Sequence, residues 1–159
     1  MRKFLALAIS AAAILAILAT ACGETKASDD TTSTPPASIP ALSTQSLANT
    51  SWVLASYGDP VNLKSMVAGS KITLAFNAAS DHASGNGGVN GYGGDVKRTD
   101  NQISITGIIH TEMASTNQAI NDQENAYFQL LQASQNLEFG IDSLVIHCQS
   151  GQVLNFSPA

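Results

Sequence analysis

Three side chains that could bind a metal ion flank the most glycine-rich segment of this 159-residue chain. Asp81 and His82 precede the segment Ser84–Asp95, and Asp95 ends it. Imidazole and carboxylate groups are ligands for zinc and calcium, but the helical histidine spacing of a zinc site is absent from the sequence. Hydrophilic residues beside glycines are usually solvated, so we expect no metal ion and no cofactor here.

The other candidates for catalysis are His110, His147 and the serines. Both histidines lie in strand-like runs, where they could pair across a sheet and bind a metal ion, but exposed or hydrogen-bonded histidines are the simpler interpretation. The chain has no G-x-S-x-G sequence, which would place a nucleophilic serine on a sharp turn. The glycine-rich segment also lacks the G-x-x-x-x-G-K-[ST] and G-x-G-x-x-G patterns of phosphate-binding loops. We therefore expect no catalytic residues and a protein that is not an enzyme.

A different chemistry is indicated at Cys22. Arg2 and Lys3 are followed by the uncharged apolar run Phe4–Leu18, which is shorter than the roughly 20 apolar residues that span a bilayer. The small residues Ala19-Thr20-Ala21 then lead directly to Cys22, which resembles the lipobox of bacterial lipoproteins. In such proteins the cysteine thiol takes a diacylglyceryl group, and cleavage before the cysteine frees an amine. Two acyl chains hold a protein stably on a membrane.

The N-terminal third of the chain is therefore predicted to contain no folded domain. Residues 1–21 are predicted to be a lipoprotein signal peptide, and an ordinary cleaved secretory signal is the alternative. Residues 22–46 begin with the lipidated cysteine and are rich in Ser, Thr, Pro and Asp, so we predict a flexible linker. Residues 47–159 have the size of one small domain. We expect this domain to lie outside the cytoplasm, anchored to a membrane of the cell envelope through the lipid on Cys22.

Charge and cysteine content exclude further partners and chemistry. The formal net charge is −5, and the few basic residues form no stripe, so we expect no binding to nucleic acid. Attraction to anionic headgroups is equally unsupported, which leaves anchoring to the lipid chains. Cys148 is the only cysteine besides Cys22. Because it ends the strand-like run Leu144–Cys148, a buried and inert thiol is favoured over a reactive one.

The glycine-rich segment must be positioned by β-strands, because alternating apolar residues surround it. Alternation and turn residues predict strands over Leu47–Tyr57, Lys71–Phe76, Asp81–Ser84, Gly94–Arg98, Gln102–Gly107, Ile108–Met113, Leu137–Ile141, Leu144–Cys148 and Val153–Phe156.

One segment breaks this period of two. From Asn121 to Ala133 the apolar residues are spaced for one face of a helix, and Asn121 and Glu124 have the spacing of a capping box. Asn121 is therefore predicted to be the N-cap, with Ile120 packing onto the first turns. Strands, one helix and strands again predict an α+β fold. We expect a small, mostly antiparallel β-sheet or open barrel packed against one α-helix, preceded by the signal peptide and a disordered linker.

Several separated motifs together resemble one known family. They are Asn49–Leu54 around Trp52, the sequence GGVNGYGG at Gly87–Gly94, TEMAS at Thr111–Ser115, Glu124 and Tyr127 before Leu130-Leu131, and Leu154–Phe156. In order and spacing they are similar to the META domain, or HslJ-like, family, typified by a heat-induced bacterial envelope lipoprotein. The resemblance implies a small, mostly antiparallel fold with one helix and an exported or lipid-anchored protein. It also implies association with stress response or drug tolerance, without an agreed biochemical activity.

The residues that match the family motifs are expected to be structural: Trp52, Gly88, Val89, Asn90, Tyr92, Gly94, Thr111, Met113 and Ser115. Asn90 and Tyr92 are expected to fix a tight passage between strands, because an Asn side chain can satisfy backbone groups; ligand contact is the alternative. The family's usual G-C-N and M-A-C carry Val89 and Ser115 here in place of cysteine. Joint loss of both cysteines is what the loss of one disulfide would leave, so we predict that Val89 and Ser115 lie close together.

These observations predict a non-catalytic exported lipoprotein that binds a protein partner in envelope stress response or maintenance. One alternative is a protein-inhibitor module that makes contact through a loop around Gly91–Asp95. Another is a small-ligand-binding envelope protein with its site in a barrel mouth. A pocket with convergent polar groups would favour the small ligand, and an exposed apolar patch would favour a protein partner.

Overall fold

The computed structural model describes residues 45–159, which form nine β-strands and one α-helix. In chain order these are β1 (Ser51–Asp59), β2 (Asn62–Ser65), β3 (Thr73–Phe76), β4 (His82–Asn86), β5 (Gly91–Thr99), β6 (Gln102–His110), α1 (Gln118–Gln132), β7 (Ser134–Phe139), β8 (Leu144–Cys148) and β9 (Val153–Pro158). The predicted signal peptide, the lipidation of Cys22 and the predicted linker up to residue 44 lie outside the described residues. Within residues 45–159, no helix has the length and apolar character needed to cross a membrane.

Eight of the strands close into an antiparallel barrel, which confirms the predicted α+β fold with one helix. The strands from β3 to β9 pair in chain order, and β1 closes the barrel by pairing with β3 on one side and β9 on the other. The short strand β2 lies on the same edge of β1 as β3, paired with Ser56–Asp59, whereas β3 pairs with Ser51–Val53. A barrel of eight strands has an interior just wide enough for side chains to fill.

Apolar side chains from the strands and from one face of α1 fill the core. The fully buried members with the largest side chains include Tyr127, Phe156, Leu54, Leu74, Ile105, Leu131, Ile146 and Leu154. The helix packs against β6 and β9. It connects β6 to β7, and these two strands share the shortest junction of the barrel, with Gln102 paired to Asn136 and the amide of Leu137 donating to the carbonyl of Asn101 at 2.7 Å.

The helix begins one turn earlier than the sequence predicts. Its N-cap is Asn117, whose side-chain oxygen accepts the backbone N–H of Ala119 at 3.1 Å, so the prediction of Asn121 as N-cap is wrong. Asn121 lies inside the first turn and bonds instead to both backbone groups of Ser115, at 2.8 and 2.9 Å. Two asparagines four residues apart are both competent caps, and the structure uses Asn117 as the cap and Asn121 to hold the segment just before it.

Several predicted strand boundaries also differ from the structure by a few residues, and β6 and β2 differ most. The segments predicted as separate strands around Gly107 form the single strand β6, because Gly107 adopts φ +61° where the register between β5 and β6 shifts. A bulge of this kind needs a residue that tolerates positive φ, and glycine does so without strain. Strand β2 was not predicted, because its four residues are all exposed and show no alternation.

Candidate functional site

Four of the nine family-motif residues meet at a polar cluster that joins the glycine-rich segment to α1, and Asn90 and Glu124 are its buried members. We call it the Asn90–Glu124 cluster; it consists of Val89, Asn90, Thr111, Met113 and Glu124. One carboxylate oxygen of Glu124 accepts the backbone N–H groups of Val89 and Asn90, at 3.0 and 2.6 Å. Its other oxygen accepts the side-chain amide of Asn90 at 2.6 Å. The carboxylate thus holds the backbone of the turn and the side chain within it.

Asn90 uses the full hydrogen-bonding capacity of its side chain. Its amide nitrogen donates to Glu124 and to the carbonyl of Met113 at 3.0 Å. Its oxygen accepts the hydroxyl of Thr111 and the N–H of Met113, both at 2.7 Å. Two donors and two acceptors are therefore all paired. Asn90 thus pairs with the backbone of Met113, and together with the bond from the N–H of Thr111 to the carbonyl of Gly91 it fixes the segment after β6 to the glycine-rich turn.

Glu124 is a buried acid that is balanced by N–H donors. The residue is only 5 % exposed, and in residues 45–159 no lysine or arginine forms a salt bridge with it. Burying an isolated carboxylate is strongly unfavourable unless hydrogen bonds replace its lost hydration. Three such bonds, each assisted by the charge, do so here. Both oxygens of the group thus bond to the glycine-rich turn.

Two glycines allow α1 to approach the turn this closely. A Cβ atom at Gly87 would lie 2.6 Å from the ring of Phe128 and 2.7 Å from a carboxylate oxygen of Glu124. Gly88 has φ +119°, and a Cβ atom there would lie 3.0 Å from the hydroxyl of Ser70. The glycine-rich motif therefore reflects close packing of helix against backbone.

Tyr92 anchors the next stretch of the motif in the core. Its hydroxyl donates to the carbonyl of Thr73 at 2.9 Å and lies 2.6 Å from the hydroxyl of Tyr127, which must therefore be the donor in that pair. Burial raises the pKa of both phenols well above the usual value. Both rings make edge-to-face or tilted contacts with Phe128, on which the ring of His110 stacks at 4.8 Å. The two phenols therefore stay protonated, and their hydroxyls bond to each other and to the backbone.

The remaining motif residues lie outside the Asn90–Glu124 cluster. The indole N–H of Trp52 donates to the hydroxyl of Thr50 at 2.9 Å. A Cβ atom at Gly94 would lie 3.0 Å from the carbonyl of Thr106, so this glycine permits close pairing of β5 with β6. Ser115 bonds to Asn121, which lies one turn of α1 before Glu124. Glu124 accepts the backbone N–H of Val89. Both former cysteine positions are thus tied to the start of α1, and their closeness stays a prediction.

Gln123 is a buried residue that sequence reasoning missed. It is 2 % exposed; its side-chain oxygen accepts the N–H of Val67 at 2.6 Å, and its amide donates to the hydroxyl of Ser70 at 2.7 Å. It thereby fastens the loop between β2 and β3 to the helix. A signal was present, because Gln123 and Glu124 each precede a buried aromatic residue of α1 by four positions and so share its inward face.

The acidic and histidine residues considered as metal ligands do not converge. His82 and Asp95 are exposed side chains 3.8 Å apart, and Asp81 bonds to the amide of Asn77 at 2.7 Å. His147 pairs with Glu138 at 3.0 Å on the surface. Over residues 45–159, no group of three histidine, cysteine or acidic side chains is placed to hold a metal ion.

Cys148 is buried, as predicted. Its thiol is directed to the carbonyl of Leu130 at 3.2 Å, and burial raises the pKa of the thiol to about 11. A thiol with such a pKa is almost wholly protonated at neutral pH and is a poor nucleophile.

The surface beside the Asn90–Glu124 cluster carries two exposed apolar side chains. Ile109 is 78 % exposed and Met113 is 63 % exposed. Ile109 lies in β6, paired with Gly93, and Met113 is held through both of its backbone groups by Asn90. An open groove of about 600 Å³ runs beside them, with Gly85 and Gly91 in its lining. The segment Ile109–Met113 is therefore exposed in its side chains and fixed in its backbone.

Comparison with known proteins gives one family and similar solved structures. The sequence profile of the META domain matches residues 45–159, which confirms the resemblance found in the motifs. An NMR structure of a protein from Burkholderia xenovorans is similar with a TM-score of 0.62 and 26 % identity, covering 73 % of this chain and 86 % of that one. A second NMR structure, at 16 % identity and a TM-score of 0.54, covers 69 % and 89 % and shows likeness of fold alone. Among curated proteins, none matches the chain significantly.

Proposed function

This chain belongs to the META domain family, and on that premise we propose that it is a non-catalytic, lipid-anchored module that binds a protein of the cell envelope in stress response or maintenance. The observation that carries the proposal is the segment Ile109–Met113, which presents two apolar side chains on a fixed backbone. Apolar side chains, methionine among them, are enriched at the centre of protein interfaces.

The rigidity of this segment supports binding as its role. Binding a mobile loop loses affinity through ordering, and a loop already held in place avoids that loss. The buried side chains of Asn90 and Glu124 hold the segment through the hydroxyl of Thr111 and the backbone of Met113. The cluster thus fixes the shape of this surface and leaves the side chains of Ile109 and Met113 free to contact a partner.

The absence of a catalytic role rests on the same cluster. Its single acid accepts three hydrogen bonds, and the buried hydroxyls of Tyr92 and Tyr127 bond to each other. A general acid or base must reach a substrate proton. Within the described residues these groups reach only other protein groups, which supports binding over catalysis.

Site-specific photocrosslinking in intact envelopes tests the proposal. A photoreactive residue is placed at Ile109 or Met113 in the lipid-anchored full chain, and at Ile141, which is 99 % exposed in the turn between β7 and β8, as a matched apolar control. We expect one discrete crosslinked protein from the first two positions and none of the same mass from the third. Identical products from all three positions, or none from Ile109 and Met113, would contradict the proposal. A hydrolase among the products would instead favour the inhibitor alternative.

A further inference from the structure

A second surface feature lies apart from the segment Ile109–Met113. It is a cleft of about 490 Å³ between the end of β1, the strand β2, the second half of α1 and the turn from β8 to β9. Ala126, Leu130 and Ala133 line it on the helix side, so this wall is apolar and formed by small or buried side chains. The volume lies in the range of roughly 300–1,000 Å³ typical of small-molecule sites.

Tyr57 forms part of the opposite wall and has an unused hydroxyl. The residue is only 6 % exposed, yet it lines the cleft, and its hydroxyl has no hydrogen-bond partner among residues 45–159. By contrast, the hydroxyls of Tyr92 and Tyr127 bond to each other. The hydroxyl oxygen of Tyr57 itself is not fully buried, so it is open to a ligand in the cleft. Burial also raises the pKa of Tyr57, which keeps its hydroxyl protonated and able both to donate and to accept.

The rim of the cleft is polar and balanced in charge. Gln129 from α1 and Gln152 from β8–β9 place amide groups there, and each amide offers donors and an acceptor. Lys64, whose ammonium lies 6.0 Å from the centre of the Tyr57 ring, is matched by the carboxylate of Asp59. With one cation and one anion, the rim favours neither sign of net charge in a ligand.

We propose that this cleft binds a small, neutral, polyhydroxylated ligand of mono- or disaccharide size. Sugar hydroxyls both donate and accept, as do the hydroxyl of Tyr57 and the amides of Gln129 and Gln152, and the C–H face of a sugar ring matches the apolar wall of α1. A purely apolar ligand would leave these polar groups unpaired, and the balanced charges of Lys64 and Asp59 give a charged ligand no net attraction. The site shares no residue with the segment Ile109–Met113, so it stands independently of the protein-binding proposal.

Saturation-transfer NMR on the full lipidated chain tests this inference. The chain is held in micelles of a detergent that carries no sugar, because an alkyl glycoside would compete for the cleft. The probes are glucose, N-acetylglucosamine and maltose, each at about 10 mM, which would detect a dissociation constant as weak as about 1 mM. We expect saturation transfer to at least one of them.

Three variants locate the binding. Tyr57→Phe removes only the hydroxyl, and Gln129→Ala removes one rim amide; we expect each to weaken binding about fivefold, the loss typical of one hydrogen bond. Gln132→Ala, an exposed glutamine of α1 that does not line the cleft, is the control and should bind as the unchanged chain does. Near-UV circular dichroism checks that each variant is folded, and Gln129→Ala decides alone if Tyr57→Phe does not fold.

Clear results would overturn the proposal. The cleft is not a sugar site if none of the three sugars receives saturation at about 10 mM. Equal affinity in all variants would place binding elsewhere on the molecule. Tighter binding of glucose 6-phosphate than of glucose would show that the site selects an anion and would refute the neutral class. None of these outcomes bears on crosslinking at Ile109 and Met113.

Discussion

Glu124 shows how a single buried side chain connects two parts of this domain that are far apart in sequence. It bonds to Val89 and Asn90, which precede it by 35 and 34 residues. From sequence, the same glutamate fits a capping box at the start of the helix. In the structure it faces the core, four residues before Phe128, and takes its donors from the glycine-rich turn. The sequence marked Glu124 as a residue with a hydrogen-bonding role, but its partners lie far from it along the chain.

Replacing Glu124 with glutamine should destabilise the domain. An amide has one acceptor oxygen and an NH₂ group, so at least one N–H from the turn would face another donor. Leaving a buried donor unpaired has a free-energy penalty of about 1–3 kcal/mol, and more beside a lost charge, so we expect Glu124→Gln to lower the free energy of unfolding by about 2–3 kcal/mol. Urea unfolding followed by tryptophan fluorescence measures it.

An exposed glutamate provides the control for this substitution. Glu112 lies in the irregular segment after β6 with its side chain in solvent, so Glu112→Gln should change the free energy of unfolding by less than about 0.5 kcal/mol. Equal stability of the Glu124→Gln and Glu112→Gln variants would show that the buried carboxylate contributes nothing beyond its shape.

At the scale of elements, the helix, the glycine-rich turn and the segment after β6 form one unit. The turn is bonded to Glu124, the segment after β6 is bonded to Asn90, and Ser115 is bonded to Asn121. The helix was predicted in the correct place, but its first turn was not, because Asn117 and Asn121 have equal local capping ability. In the structure the side chain of Asn117 caps the helix, and the side chain of Asn121 bonds to the backbone of Ser115.

A disulfide between positions 89 and 115, where the family motif usually has cysteines, should stabilise the domain. We expect the double variant Val89→Cys and Ser115→Cys to form an intramolecular bridge on oxidation, because both positions are tied to the start of α1. Closing a loop of this length should raise the free energy of unfolding by about 2–4 kcal/mol. Peptide mapping by mass spectrometry identifies the bridge, and urea unfolding with and without reductant measures the gain.

The two single variants are the controls for that experiment, since neither can form the bridge. Recovery of both thiols unmodified from the oxidised double variant would refute the predicted closeness of Val89 and Ser115. A bridge to the buried Cys148 instead would refute it as well.

At the scale of the whole molecule, the domain is a closed barrel. We propose that its function depends on an anchor outside the barrel, the lipid on Cys22. The Cys22→Ser variant should lose incorporation of labelled palmitate, because the thiol that takes the diacylglyceryl group is absent. Its near-UV circular dichroism should match that of the unchanged domain. Metabolic labelling measures the loss of palmitate.

The other cysteine supplies the control for the anchor. Cys148 is buried in β8, and Cys148→Ser should keep full palmitate labelling. If Cys22→Ser still took up palmitate, the lipid would be attached elsewhere and the predicted lipoprotein signal would be wrong.

The sequence by itself determined the kinds of elements, their approximate places and the family. Period-two alternation predicted most strands, and helical spacing predicted α1. The density of glycines predicted that the backbone of Ser84–Asp95 passes close to other groups, without indicating which groups. These properties depend on neighbours within a few residues, so they can be read along the chain.

Only the tertiary structure decided which polar groups became buried partners and how the sheet closed. Gln123 binds a loop more than fifty residues earlier, Glu124 binds the glycine-rich turn, and β1 meets β9 across almost the whole domain. An unpaired buried donor or acceptor is destabilising, so such groups must find partners, but the chain's path through space determines which ones. The density of glycines in the sequence indicated that the backbone passes very close to another group. Only the fold showed that this group is the helix α1.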